Sequence, residues 1–271
     1  MNPSKQTVAE ISIGGLERVA ELDGLRGVAV LLVVLFHYFV QHIQSQPETL
    51  AAYLLKYASI LWIGVDVFFV LSGYLVGGIV LEKIGSERFF RVFYLRRFLR
   101  IAPPYLLLLL AYAFLYLVWR ATGREGAAWL FENQFSFWAY FFYLQNFCMA
   151  LGGSFGGNFT SDTWSLAVEE QFYVLFPLLI YWCPPKRLIW ILIGLILLAP
   201  LIRVFFYYQW SNHGLPQFVL LPSRWDSLLL GVVGAWIVRQ RAVREFWVRH
   251  WLKLRWSMAI SAIGVAALPL L

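Results

Sequence analysis

The 271-residue sequence predicts an all-α fold, a polytopic bundle of transmembrane helices. Three observations predict it. Apolar residues make up 61% of the chain and charged residues only 14%, against about a half and a quarter in ordinary soluble domains. The apolar residues gather into stretches of about twenty, the length that crosses a hydrocarbon core of about 30 Å. The basic residues fall between those stretches, where topology explains them. The net charge of +7 therefore speaks of membrane orientation and not of nucleic acid.

The elements follow in order. Residues 1–21 are polar and mixed in charge, no small-residue cleavage site follows the first apolar run, and the segment reads as a cytoplasmic N-terminus. Residues 22–271 read as one membrane domain. Its expected spans are 24–43, 57–81, 101–119, 163–183, 188–208 and 218–238. A last apolar run starts near 257 and meets the chain end after about fifteen residues, so a domain truncated at its C-terminus is expected. The stretch 135–151 is apolar but short, and Gln145 and Asn146 interrupt it. Three basic segments decide how it lies: 82–100, the turn at Lys186 and Arg187, and 239–256. They share the cytoplasmic side only if 135–151 is re-entrant or interfacial, which is the reading adopted. The loop "GGSFGGNFTSD" then lies outside, and its Asn158-Phe159-Thr160 acceptor pattern is too short to carry weight. Cys148 and Cys183 show no metal or redox spacing, the four histidines show none either, and no metal site is expected.

The polar residues inside the spans define the candidate site. Arg26 and His37 are eleven residues apart, which is three helical turns plus about 20°, so they share one face at about 16 Å. Arg97 and Arg100 sit three apart at the inner end of the third span. Ser72 lies at about the depth of His37, and Asp66 further out. The fourth span brings Glu169 and Glu170 from the outer side, and the sixth brings Arg224 and Asp226. Arginines thus gather at the inner face, and carboxylates in the outer half. Ionisable groups inside a bilayer are costly and face a bundle interior or a wet cavity. The inner arginines suit an anionic ligand such as a phosphate. The outer carboxylates suit a hydroxyl-rich neutral molecule. His37, between them, could take a proton from an attacking hydroxyl or be acylated itself.

The motifs then match a family. "RGVAVLLVVLFH" at 26–37 has the arginine, ten residues and histidine of the acyltransferase-3 membrane O-acyltransferases, and the chain resembles that family. "FFVLSG" at 68–73, "RFLR" at 97–100, "WSLAVEEQFYVLFP" at 164–177 and "SRWDSLLLG" at 223–231 are similar to its further elements, in the same order. The resemblance covers about 20–240, and spans usual in the family are absent after it. It implies transfer of an acyl group, most often acetyl, from cytoplasmic acyl-CoA to a hydroxyl of an extracytoplasmic glycan, in a bacterial inner membrane. Acyl-CoA would be a co-substrate, with no permanently bound cofactor. It implies donor roles for Arg26, Arg97 and Arg100, a catalytic role for His37, and an acceptor-side or histidine-orienting role for Glu169 or Glu170. Ser72, Asp66, Trp164, Arg224 and Asp226 are further candidates.

Blander readings stand beside these. Arg26 alone reads as a topology anchor, Ser72-Gly73 as a small-residue helix contact, and one glutamate as a helix-start charge. Asp66 and Asp226 read as partners of arginines such as Arg224, and the aromatic residues as lipid belts and packing. Two other function classes are a transporter or flippase, which predicts flux without covalent change, and an inactive truncated homologue.

Overall fold

The computed structural model describes residues 20–40, 43, 49–123, 125–132, 135–209 and 214–267. The N-terminal segment 1–19, with its expected cytoplasmic placement, lies outside the described residues, as do His42 and His213. Helices form every regular element among the described residues.

Helix α1 (Ala20–Leu35) opens the chain and passes directly into a π-helical turn at Phe36–Val40. After α2 (Leu50–Ala58), capped by the Thr49 hydroxyl, a 3-10 turn at Ser59–Trp62 leads into α3 (Ile63–Lys83). Helix α4 (Phe89–Thr122) is 34 residues long, about 51 Å, and outruns the hydrocarbon thickness. The expected basic loop 82–100 is therefore mostly helix, with Arg91, Arg96, Arg97 and Arg100 on its first turns. The reason is local: the break is confined to the residues around Gly85, and from Phe89 to Arg100 no glycine or proline interrupts the helix. The adjacent prolines Pro103 and Pro104 are carried inside the helix.

The stretch 135–151 forms no continuous helix. It folds as α6 (Phe137–Phe141) and α7 (Gln145–Gly152), following the short α5 (Ala128–Phe131). Between α6 and α7 the chain turns at Tyr143, whose φ of 56° is left-handed. Neither piece is long enough to cross a bilayer. Gln145 and Asn146, which interrupt the apolar run in sequence, are fully buried and explain how the pair is held. The Gln145 amide donates to the Thr163 carbonyl at 2.9 Å. Asn146 and Gln171 exchange reciprocal amide hydrogen bonds of 3.1 and 2.9 Å, and Asn146 also donates to the Val219 carbonyl at 3.2 Å. Asn146→Leu strands the Gln171 acceptor in a buried site. An unpaired buried group costs about 1–3 kcal/mol, so the melting temperature in detergent is expected to fall. An unchanged melting curve would show that the pair adds nothing.

Helix α8 (Thr163–Trp182) is followed by α9 (Pro185–Gln209), the short α10 (Pro216–Val219) and α11 (Leu221–Arg239). Gln240 separates α11 from α12 (Arg241–Arg249), and α13 (Trp251–Ala267) follows. The expected basic loop 239–256 is thus largely helical too, a basic helix with Phe246 and Trp247 exposed beside its arginines. Among the described residues four helical stretches are long and apolar enough to cross a membrane: Leu50–Lys83, Phe89–Thr122, Pro185–Gln209 and Pro216–Arg239.

The most extensive helix contact joins α3 and α11. Their backbones meet at Gly73 and Gly231. A Cβ built on Gly73 would lie 1.8 Å from the Leu228 carbonyl oxygen, and one on Gly231 2.0 Å from that of Val70. Around this seam Phe69, Val76, Phe172, Phe176, Leu228 and Val232 form one buried core. Arg239 closes its end by donating to the Gly78 carbonyl at 3.0 Å.

Candidate active site

Two polar stations lie along α8, seven residues or about 10 Å apart. The first is built on His37. Helix α1 stops at Leu35, and the histidine sits in the π turn that replaces its next turn. The uniform 100° step from Arg26 therefore does not reach His37. Such π turns recur at functional sites because they redirect a side chain. His37 Nδ1 meets the Val33 carbonyl at 2.8 Å. A carbonyl only accepts, so Nδ1 carries a hydrogen, and Nε2 is the position left to exchange a proton. Nε2 lies 3.0 Å from Asp162 Oδ1, just before α8 begins. A carboxylate also only accepts, so while this contact is made Nε2 carries a hydrogen too and the ring is an imidazolium; Nε2 can take a substrate proton only after giving that hydrogen up and parting from Asp162. The hollow beside this pair has a volume of 680 Å³.

The second station collects residues from four helices. Arg97 of α4 lays its guanidinium over the Tyr173 ring of α8, 4.8 Å from the centroid. Glu169, Arg100 and Arg26 lie within its electrostatic reach. Ser72 of α3 and Tyr173 adjoin the Glu169 carboxyl, and Glu170 neighbours Glu169 and Arg97. Arg26 Nε and Glu170 Oε1 are buried with no hydrogen-bond partner. Buried polar atoms are ordinarily paired, so unpaired ones among these ionisable groups are open to a ligand or water. Arg97 also lines a second cavity of 370 Å³, whose wall carries Lys83, Arg88 and Arg96. Guanidinium groups at such a wall suit phosphate oxygens.

The sequence-based layout needs one correction. Carboxylates and arginines were expected at opposite depths, yet Glu169 lies among Arg26 and Arg97. Seven residues of helix carry it about 10 Å inward from Asp162, and the long arginine side chains close the remaining distance. His37 accordingly pairs with Asp162, while Glu169 and Glu170 belong to the arginine station.

The remaining candidates form a third group. Asp226 pairs with Arg203 at 2.7 Å. Asp66 accepts from the Ser227 hydroxyl at 2.8 Å and lies 3.7 Å from Arg224. Arg224 covers the rings of Trp164 and Phe218 at 5.7 and 5.1 Å. Trp164 stacks on Trp62, which meets Phe36 beside His37. These contacts tie α3, α8, α9 and α11 together under the histidine.

Asp162, Tyr173 and Arg203 are functional or supporting residues that sequence reasoning missed. A signal existed for two of them. Asp162 directly precedes the "TWSLAVEEQFY" block, and Tyr173 lies four residues after Glu169, on the same helical face. Arg203 sits in an otherwise apolar span with no pattern around it.

The family described as "Acyltransferase domain" matches residues 19–271. The chain is 35% identical over 164 residues to "Putative peptidoglycan O-acetyltransferase YrhL" of Bacillus subtilis (strain 168), covering 58% of this chain and 23% of that protein. It is 31% identical over 191 residues to peptidoglycan O-acetyltransferase OatA of Listeria monocytogenes, covering 67% of this chain and 28% of that protein. The chain spans about a quarter of the length of these curated relatives. No solved structure matches it.

Proposed function

Because the chain belongs to the acyltransferase-domain family, we propose that it is a membrane O-acyltransferase moving an acetyl group from acyl-CoA to a hydroxyl of a cell-envelope glycan. The observation that carries the reading is the pair of stations: a proton-accepting His37 braced by Asp162, and an arginine cluster about 10 Å away along α8. The names of the relatives point to peptidoglycan as the acceptor.

The chemistry divides between the stations. Arg97, Arg100 and Arg26 bind the phosphates of the donor, and its flexible arm carries the thioester toward His37. The acceptor hydroxyl oxygen attacks the thioester carbonyl carbon. Its proton passes to the neutral imidazole, at the Nε2 that Asp162 has released, as the carbon–oxygen bond forms. The carbon–sulfur bond breaks, and the imidazolium returns the proton to the departing thiolate, which leaves as coenzyme A. Asp162 offsets the charge on the ring between the two transfers. The arginine station on the cytoplasmic side and the histidine station on the outer side complete this reading, in line with the basic character of the first turns of α4.

The test uses purified protein in liposomes with radiolabelled acetyl-CoA, following coenzyme-A release and label on soluble peptidoglycan. Wild type should do both. Arg97→Ala removes a guanidinium whose charged hydrogen bonds are worth about 1.5–3 kcal/mol, so KM for acetyl-CoA should rise about 10–100-fold. The KM for glycan should stay where it is. Donor binding without transfer in wild type would remove the acyltransferase reading, and glycan flux without acetylation would replace it with transport.

A further inference from the structure

Resting on the acyl-transfer reading, we propose that the hollow beside His37 is the acceptor subsite, a carbohydrate cradle in which the Trp129 ring gives a stacking face and Asn158, Ser161 and Asp162 meet hydroxyl groups. These residues line the 680 Å³ hollow together with His37 and Tyr38.

The chemistry of the wall selects the ligand class. A sugar presents an apolar C–H face and a rim of hydroxyls. Trp129 is 50% exposed and Tyr38 is 73% exposed, so both rings are open to contact. Around them stand an amide, a hydroxyl and a carboxylate, which together donate and accept. Among the described residues the lining has no lysine or arginine and does have Asp162, so an anionic ligand is disfavoured. A wholly apolar ligand is disfavoured by the same polar groups. The cavity at Arg96 and Arg97 has the opposite balance: Lys83, Arg88, Arg96 and Arg97 outnumber its one carboxylate, Glu82, and no amide side chain stands among its described lining. The two hollows therefore suit two different substrates, and His37 borders the one suited to a neutral polyol.

The cradle is built and not a chance meeting of loops. The Asn158 amide donates to the Trp129 carbonyl at 3.1 Å, and the Phe159 N–H donates to the Leu130 carbonyl at 3.2 Å. Between these bonds Gly157 runs so close that a Cβ there would sit 2.7 Å from the Leu130 oxygen. The Thr160 hydroxyl is hydrogen-bonded to the Tyr140 hydroxyl at 2.9 Å, which anchors the turn to α6. Ser161 donates to the Asn158 carbonyl at 3.1 Å and reaches Asp162 Oδ1 at 3.4 Å. The segment carrying Trp129 is thus locked in register with the turn that carries Asp162. The stacking face and the proton acceptor are held on one frame.

The experiment compares Trp129→Ala and Trp129→Phe with wild type in liposomes, using the N-acetylglucosamine tetramer as probe. Binding is followed by saturation-transfer NMR, which needs no turnover, and transfer is followed with labelled acetyl-CoA. Loss of the Trp129 face should raise both Kd and KM for the tetramer about tenfold, and the phenylalanine should restore most of it. The KM for acetyl-CoA should not move. Unaltered tetramer binding in Trp129→Ala overturns the cradle, as does a parallel rise in the donor KM. A wild type that binds the tetramer through Trp129 but transfers no acetyl group keeps the cradle and sinks the acyl-transfer reading. A wild type that transfers acetyl groups with no dependence on Trp129 does the reverse.

Discussion

His37→Ala is expected to lower acetyl transfer by about 10²–10⁴-fold, the usual worth of a positioned general acid–base group. The loss should fall on kcat. His37 lies at the histidine station, whereas the donor contacts lie with Arg97 and Arg100, so the KM for acetyl-CoA should hold. Asp162→Asn tests the partner. It keeps the shape of the side chain and removes the charge that faces Nε2 at 3.0 Å. A hydrogen bond to a charged group is worth about 1.5–3 kcal/mol when shielded. Asp162 is 65% exposed, and solvent screening reduces that figure, so a loss of about tenfold in kcat is expected. Asp162→Glu should recover part of it. Rates with acetyl-CoA and glycan check both variants. Full activity in His37→Ala would take the reaction away from the imidazole altogether. Full activity in Asp162→Asn alongside an inactive His37→Ala would leave the base in place without its brace.

Much of the candidate site was legible because it rests on spacing. Arg26, His37, Ser72, Arg97, Arg100 and Glu169 stand out as polar groups in or beside apolar runs, and helical rise orders them by depth. Partner choice was not legible. Whether Glu169 faces a histidine or an arginine depends on how α8 is rotated and how deep it is set against α3 and α4, which no single helix encodes. Asp162 shows the same limit. In sequence it belongs to a polar loop, and only the π turn at Phe36–Val40 brings His37 to it. The periodicity argument assumes an unbroken α-helix, and the site is where that assumption fails.

The fold shows a similar division. The all-α membrane architecture follows from apolar run length alone, and α8 and α9 lie within a few residues of their expected bounds. The basic segments were harder. A run of arginines and aromatics reads as a loop on charge grounds, yet past Gly85 nothing in it breaks a helix, and α4 runs through it from Phe89. Gln145 and Asn146 read as defects in an apolar stretch. Their amides are in fact what fastens α7 to α8 and to the Val219 carbonyl. The polar pair in this short apolar run thus marked both the start of α7 and the tertiary hydrogen bonds that hold it.

Gly73→Ala and Gly231→Ala are each expected to disrupt the bundle itself. Both replace a hydrogen by a methyl group where α3 and α11 touch through their backbones. The new carbon would lie 1.8 Å from the Leu228 oxygen or 2.0 Å from the Val70 oxygen, far inside contact distance. No side chain can swing aside, because the obstructing atoms are main-chain. The helices must separate, which opens the core at Phe69, Val76, Leu228 and Val232. Overpacking of a well-packed interior costs about 1–3 kcal/mol, and a clash with backbone belongs at the upper end or beyond. Gly194 of α9 is the control, since a Cβ there meets nothing within 4 Å. At that site alanine should be neutral or slightly stabilising, through its higher helix propensity. Cys148 and Cys183 are free and half-buried, so a thiol-reactive dye reports unfolding directly. The two seam variants should melt well below wild type in detergent, or fail to accumulate in the membrane, while Gly194→Ala melts with wild type. The same seam brings Ser72 to the Glu169 carboxyl from the residue next to Gly73, so a seam variant that survives should also lose activity. Wild-type melting and wild-type activity in Gly73→Ala would show that α3 and α11 do not meet at that glycine.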